Sequence, residues 1–275
     1  MEQEVRYLIP YDFSPVSESA LRLGLDLAEA NKGKVILLHV VKKNTEKSEA
    51  KANFKKVVAG LKTEEQNITS TKILVGDLFS DIAKAGELLD ITMIVMGTHG
   101  ARGFQKIFGS NAVKMISSTD CPFLITQGKK EIDKLKTIVM PFSFEKKTIQ
   151  IASFAAKMAK QFNATVHLVG YHDKDEWLEK HMKLNQSLVK KHLDENCVES
   201  VIANIPIGSN YESELMKYAE SVDADMMAAG YFQGGIITNP NSFIQSMIEN
   251  KLNLPLLTVN AEELTVSTGN VVTSY

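Results

Sequence analysis

The sequence predicts an α/β protein: two Rossmann-like domains in tandem, each a five-stranded parallel sheet with helices on both faces. Three observations carry that expectation. Short apolar segments alternate with helix-like ones along the chain, the pattern of successive βαβ units. The apolar segments recur in the same order half a chain apart. The 275 residues suit two compact units of about 130–140 residues each.

The repeat begins with the first strand: residues 5–10 read VRYLIP and residues 136–141 read KTIVMP, each ending in proline. KVILLHVV (34–41) matches TVHLVGYH (165–172) at a shift of 131. KILVGDLFSDI (72–82) matches NIPIGSNYESE (204–214) at 132, with Gly76 opposite Gly208. DITMIVMG (90–97) matches DADMMAAG (223–230), and CPFLIT (121–126) matches LPLLTV (254–259), both at 133. A shift that drifts by two residues over five strands indicates duplication. The expected domains are residues 1–130 and 131–262, joined through GKKEIDKLK (128–136). A tail over 263–275 follows, in which VVTSY could add a strand.

Helices fill the intervals. Ser14 before Pro15 reads as an N-cap with proline at the first helical position. Ala20, Leu21, Leu23, Leu25, Leu27 and Ala28 then make a mostly buried helix ending near Gly33. Residues 46–62 predict a more charged helix with Phe54, Val57, Val58 and Leu61 on one face. Two further helices are expected over 78–89 and 110–118, with right-handed connections throughout.

Composition excludes several classes. A 44% hydrophobic and 23% charged chain can bury an ordinary core. Net charge is −2 with the signs interspersed, which argues against nucleic-acid binding. The start, MEQEVRYLIPYDF, enters a strand with no secretion signal. No apolar run approaches the length that a membrane-spanning helix needs. A cytoplasmic protein without a membrane span is therefore expected. Cys121 and Cys197 lie outside any CxxC and read as idle thiols in a reducing compartment.

Ligands of open parallel sheets bind beyond the carboxyl ends of the strands. Strand one ends in Pro10, Tyr11, Asp12 and strand two in His39, Val40, Val41. Strand four ends in Met96 and Gly97 and runs on through Gly100, Gly103 and Gly109 to Ser110 and Asn111. That last turn would offer backbone N–H groups at a helix N-terminus, a seat for phosphate. Glycines after a strand also serve turn geometry alone, and Asp12 could be a turn residue. With Ser14 supplying the N-cap, however, the Asp12 carboxylate is left to accept from a ligand.

IPYDFSPVSESAL, LLHVV and VMGTHGARGFQKIFGSNAVKMISSTDCPFLI together resemble the universal stress protein family over residues 4–127, and more faintly over 136–260. The resemblance implies an adenine nucleotide alpha hydrolase-like fold binding ATP or a related adenine nucleotide, with or without Mg²⁺. It puts Asp12 at the adenine region, Val40 and Val41 beside the base, and Gly97, Gly100, Gly109 and Ser110 on the family's G-x2-G-x9-G-[ST] loop. Here eight residues (101–108) replace the nine, shortening the reach by up to about 3.3–3.6 Å. The second half departs further: Ser143 stands for Asp12, Gln233 for Gly100, Ser242 for Gly109 and Phe243 for Ser110. An aromatic ring there disfavours an anion, so this half is expected to keep the fold without the site. In the family such domains pair through their last strands, which implies an internal pseudo-dimer through CPFLIT and LPLLTV, and leaves room for a further homodimer.

Other clusters are weaker. His172, Asp173, Asp175, Glu176 and His181 could ligate a metal, but a solvated charged helix start explains them better. His39 sits at a strand end and His99 in the ligand loop, where it could touch a phosphate but more often such a histidine satisfies a loop backbone group. Met93, Met96, Met226 and Met227 are core filling. No nucleophile elbow, Walker A lysine or H-E-x-x-H motif is present. The expectation is a non-enzymatic, nucleotide-binding stress-response protein acting on a protein partner. The rival reading is an interaction module without nucleotide, and weak ATP hydrolysis comes a distant third.

Overall fold

A computed structural model describes residues 4–98, 109–128, 135–143, 145, 147–171, 175–205, 211–232 and 239–261, with backbone alone at 78–80, 83, 87 and 109–111. The chain divides into two compact units, Met1–Lys129 and Lys130–Tyr275.

The first unit runs β1 (Arg6–Pro10), α1 (Pro15–Asn31), β2 (Lys34–Val41), α2 (Lys47–Ala59), α3 (Thr63–Ile68), β3 (Thr69–Val75), α4 (Leu78–Leu88), β4 (Met93–Gly97), α5 (Gly109–Ile116) and β5 (Phe123–Thr126). Its strands lie in the order β3-β2-β1-β4-β5, all parallel. Leu8, Ile9, Leu37, Leu38, Ile94 and Val95 are fully buried, as strands covered on both faces require. α1 starts as the sequence predicts: the Ser17 N–H donates to Ser14 Oγ at 3.3 Å, with Pro15 in the first turn. It ends one residue early, with Lys32 in the left-handed region at φ 52° in place of Gly33.

Two expectations are corrected in this unit. The charged helix expected over 46–62 is α2, which stops short at Ala59, and a separate short helix that the sequence did not announce, α3, follows from Thr63. Leu61 is buried between them, while Val57 and Val58 are only half-buried. The third strand begins at Thr69 and not near Lys72. It is an edge strand whose first residues face solvent, so Thr69, Ser70 and Thr71 carry no apolar signal to announce it.

The second unit runs β6 (Thr137–Pro141), α6 (Thr148–Phe162), β7 (Thr165–Tyr171), α7 (Glu176–Glu195), β8 (Ser200–Ile205), α8 (Tyr211–Ser221), β9 (Met226–Tyr231), α9 (Pro240–Ile248) and β10 (Leu256–Asn260). Its order, β8-β7-β6-β9-β10, and parallel pairing repeat the first unit's. A single helix, α7, spans β7 to β8 where the first unit uses two. Among the described residues no helix is long and apolar enough to cross a membrane.

This topology fixes where a ligand could sit. From β1 the chain moves one way through β2 and β3, then returns to build β4 and β5 on the other side, so the order reverses between β1 and β4. Pro10 is level with Leu38. β2 therefore runs on three residues beyond the end of β1, about 10 Å, and forms a wall beside the turn that carries Asp12.

Candidate functional site

The turn after β1 is tightly held. The Tyr11 N–H donates to the Leu38 carbonyl at 2.8 Å, and the Ser14 N–H donates to Asp12 Oδ1 at 3.0 Å. The Asp12 carboxylate is therefore not idle, as the sequence suggested: one oxygen already closes the turn. Partial desolvation of the carboxyl by the surrounding turn pushes its pKa up. Hydrogen bonds from the Ser14 hydroxyl and N–H, the Ser17 hydroxyl and the Asp12 N–H outweigh this and hold it below its ordinary value. Asp12 is exposed and ionised at neutral pH, at the switch point.

Phe13 follows at φ 63°, an uncommon conformation for a bulky residue. Its ring joins an aromatic cluster that the sequence did not reveal. Ring centroids lie 5.4 Å from Tyr11, 4.8 Å from His39 and 5.1 Å from Phe54 of α2. Tyr11 and Phe54 are themselves 6.0 Å apart. The Tyr11 hydroxyl donates to Glu18 at 2.6 Å, and burial followed by that acceptor pushes its pKa up. His39 Nδ1 lies 2.7 Å from the Tyr11 carbonyl; a carbonyl only accepts, so Nδ1 carries the proton. Phe54 was legible as a core residue, but its reach to the Asp12 turn depends on how α2 packs.

The other predicted residues divide. Pro10 and Met96 are buried at the ends of neighbouring strands. Val41 is buried and Val40 half-buried; being consecutive in a strand, they point to opposite faces. Gly97 has a packing role of its own. A Cβ there would stand 2.2 Å from the Val16 carbonyl oxygen in the first turn of α1, so the close approach of α1 to β4 requires glycine. Beside it the Thr98 hydroxyl is buried without a hydrogen-bond partner among the described residues. Gly109, Ser110 and Asn111 open α5 as expected. His99, Gly100 and Gly103 lie outside the described residues.

The second unit fills the equivalent place. Pro141, Phe142, Ser143, Tyr211, Gly230, Phe232 and Phe243 line one small cleft at the ends of β6 and β9. Phe142, Phe232 and Phe243 are all buried. Phe243 lies in the first turn of α9, where Asn239 caps the helix by accepting from the Ser242 N–H. The turn after β6 copies that after β1, with the Glu145 N–H donating to Ser143 Oγ at 3.2 Å. Asn185 of α7 donates to the carbonyls of Ser143 and Glu145. Asn185 falls opposite Phe54 at the same shift that aligns β2 with β7. Both units therefore brace this turn from the same helical position, one with an aromatic ring and the other with an amide. Of the histidine-rich segment, Asp175 caps α7 through the Trp177 and Leu178 N–H groups. His181 stacks on Trp177 at 3.8 Å, and His172 and Asp173 lie outside the described residues. Cys121 is buried and Cys197 exposed.

Fold and site together define a tandem α/β protein of Rossmann-like topology, with an ionised carboxylate at the switch point of one half and an aromatic-lined cleft at the equivalent place in the other. Residues 6–127, nearly all of the first unit, match the universal stress protein family. A universal stress protein from Archaeoglobus fulgidus DSM 4304 is similar over nearly the whole length: 16% identity, 94% of this chain and 99% of that one, TM-score 0.75. A functionally unknown protein from Pseudomonas aeruginosa PAO1 is 15% identical over 95% of this chain and 97% of its own, TM-score 0.63. A universal stress protein from Archaeoglobus fulgidus solved in complex with dAMP covers 46% of this chain and 98% of its own, with 21% identity and TM-score 0.37. No curated protein sequence matches the chain.

Proposed function

We propose that the chain is an adenine-nucleotide-binding stress-response protein whose first half holds the ligand at the carboxyl ends of β1, β2 and β4. The observation that carries this reading is Asp12, an exposed carboxylate held ionised at the switch point with one oxygen committed to the turn. The carboxylate would accept from the adenine amine or a ribose hydroxyl. The end of β2 at Val40 and Val41, one by its side chain and the other by its backbone, would flank the base beside Pro10 and Met96, and Gly97, Gly100, Gly109, Ser110 and Asn111 would follow the phosphates to the start of α5. The Thr98 hydroxyl beside Gly97, without a partner among the described residues, is one polar group that a bound phosphate or ribose could satisfy. Binding would bias the surface that a partner reads.

The test is calorimetric titration with ATP, with and without Mg²⁺, on the wild type, Asp12→Ala and Asp12→Asn. The asparagine retains an acceptor for the Ser14 N–H, so it separates the turn from the charge. Binding near one nucleotide per chain that weakens at least about ten-fold in both variants supports the assignment; unchanged affinity in Asp12→Ala overturns it. The second reading, an interaction module without nucleotide, is favoured by the loop of eight residues where the family pattern has nine. It would lead if the wild type binds no ATP at millimolar concentration.

A further inference from the structure

We infer that the outward face of α2 is a docking surface for an acidic polypeptide segment. The helix departs from ordinary helix electrostatics in two ways. Lys47, Lys51 and Lys55 follow one another at four-residue spacing and are all exposed, an arrangement in which like charges repel. Lys47 also opens the helix, where the dipole disfavours a cation, and no side chain caps that end. Glu49 in the first turn answers the second departure, but the lysine row itself is not offset locally. No carboxylate stands three or four residues from Lys47, Lys51, Lys55 or Lys56, and none of the four carries an ion pair among the described residues. Lys42 and Lys43 lead into the same stretch, so that residues 42–62 hold seven lysines and two glutamates.

The duplication supplies its own comparison. α7, the counterpart of α2, is also lysine-rich, yet three of its four lysines pair along the helix. Lys183 meets Glu179 at 3.3 Å, Lys190 meets Asp194 at 2.9 Å, and Lys191 meets Glu195 at 3.6 Å. One copy thus keeps the pattern of a solvated helix face and the other abandons it. A local rule broken without local compensation marks a position whose compensation comes from outside the helix.

Spacing and chemistry select the partner. The lysines recur about every 6 Å along α2, and an extended chain presents alternate side chains on one face about every 6.6 Å. Three carboxylates at alternate positions of a strand would meet Lys47, Lys51 and Lys55 in turn. Nucleic acid is a poorer match: α2 has no arginine, and its one aromatic, Phe54, is buried, so neither a guanidinium fork nor a stacking platform is available. A lipid surface is poorer still, since no large apolar side chain of α2 is exposed. Phe54 on the inner face reaches Phe13 and Tyr11, which ties the docking helix to the Asp12 turn. The surface itself stands whether or not the cleft takes a nucleotide; its coupling to the cleft rests on the proposed function.

The experiment uses the full chain without nucleotide and a fluorescent decapeptide alternating glutamate and serine, followed by anisotropy. At about 20 mM salt the peptide binds, and at about 300 mM its affinity falls at least ten-fold. Lys47→Glu/Lys51→Glu/Lys55→Glu weakens binding at least about ten-fold, whereas Lys183→Glu/Lys190→Glu/Lys191→Glu stays within about two-fold of wild type. Should the α7 reversal unfold, as a melting curve would show, glutamine at the same positions in both helices makes the same comparison. No binding at low salt, or equal loss in both triple variants, overturns the docking surface. Tighter, lysine-dependent binding of oligo-dT or phosphatidylserine vesicles than of the peptide overturns the partner assigned to it. Because no nucleotide is present, none of these outcomes depends on the ATP titration.

Discussion

Gly97→Ala separates packing from ligand binding at a residue that the sequence assigned to the ligand. A methyl group there would lie 2.2 Å from the Val16 carbonyl oxygen and 2.5 Å from its carbon. Both are backbone atoms in the first turn of α1, so no rotamer can relieve the clash. α1 must retreat from β4 by roughly 1 Å, an overpacking cost of about 1–3 kcal/mol. Part of the Ser14 cap would go with it, up to about 1 kcal/mol more. The sum, about 1–4 kcal/mol, corresponds to a fall of about 4–16 °C in the melting temperature of a unit this size. Gly230, its repeat partner, meets only side chains, with a Cβ 3.1 Å from the Phe232 ring and 3.6 Å from Ile151. Those atoms can give way, and Gly230→Ala should cost less than about 1.5 kcal/mol. Thermal melts of both variants without nucleotide are the assay. If Gly97→Ala melts with the wild type, or if Gly230→Ala falls as far, the close-approach argument is wrong.

Two further predictions concern the same unit. Phe13 sits at φ 63° within its aromatic cluster, so Phe13→Ala loses the ring and keeps the backbone strain, whereas Phe13→Gly loses the ring and relieves it. Urea titrations should find the glycine variant more stable than the alanine by about 1–2 kcal/mol, and equal midpoints would refute a strained turn. Burial pushes the Tyr7 hydroxyl up to about 12, against the opposing pull of its hydrogen bond from Asn31. Because the folded value lies above the ordinary 10.0, its contribution is complete below pH 10 and is lost as pH rises toward 12. That loss is worth about 3 kcal/mol. Tyr7→Phe should flatten the alkaline limb of a stability–pH curve by that amount, and an unchanged limb would assign the loss to other groups.

The duplication and the parallel α/β class were legible in the sequence because buried strands are continuous apolar runs, and five of them keep one register from the first half of the chain to the second. The Ser14–Pro15 helix start was legible because capping is local chemistry. The start of β3 was not, since an edge strand need not be apolar. Asp12 and Gly97 were found by their places after strands, but their roles were only half readable. That Asp12 spends one oxygen on the Ser14 N–H follows from a local turn. That Gly97 yields to Val16 follows from the meeting of α1 and β4, which lie far apart in sequence. The bracing of the turn by Phe54 in one unit and Asn185 in the other is likewise a tertiary fact, since a ring and an amide share no sequence signature. Periodicity and capping are properties of neighbouring residues, and the sequence by itself determined what depends on them. The distances that assign each site residue its work arise only when helices close on the sheet, and the tertiary structure alone decided those.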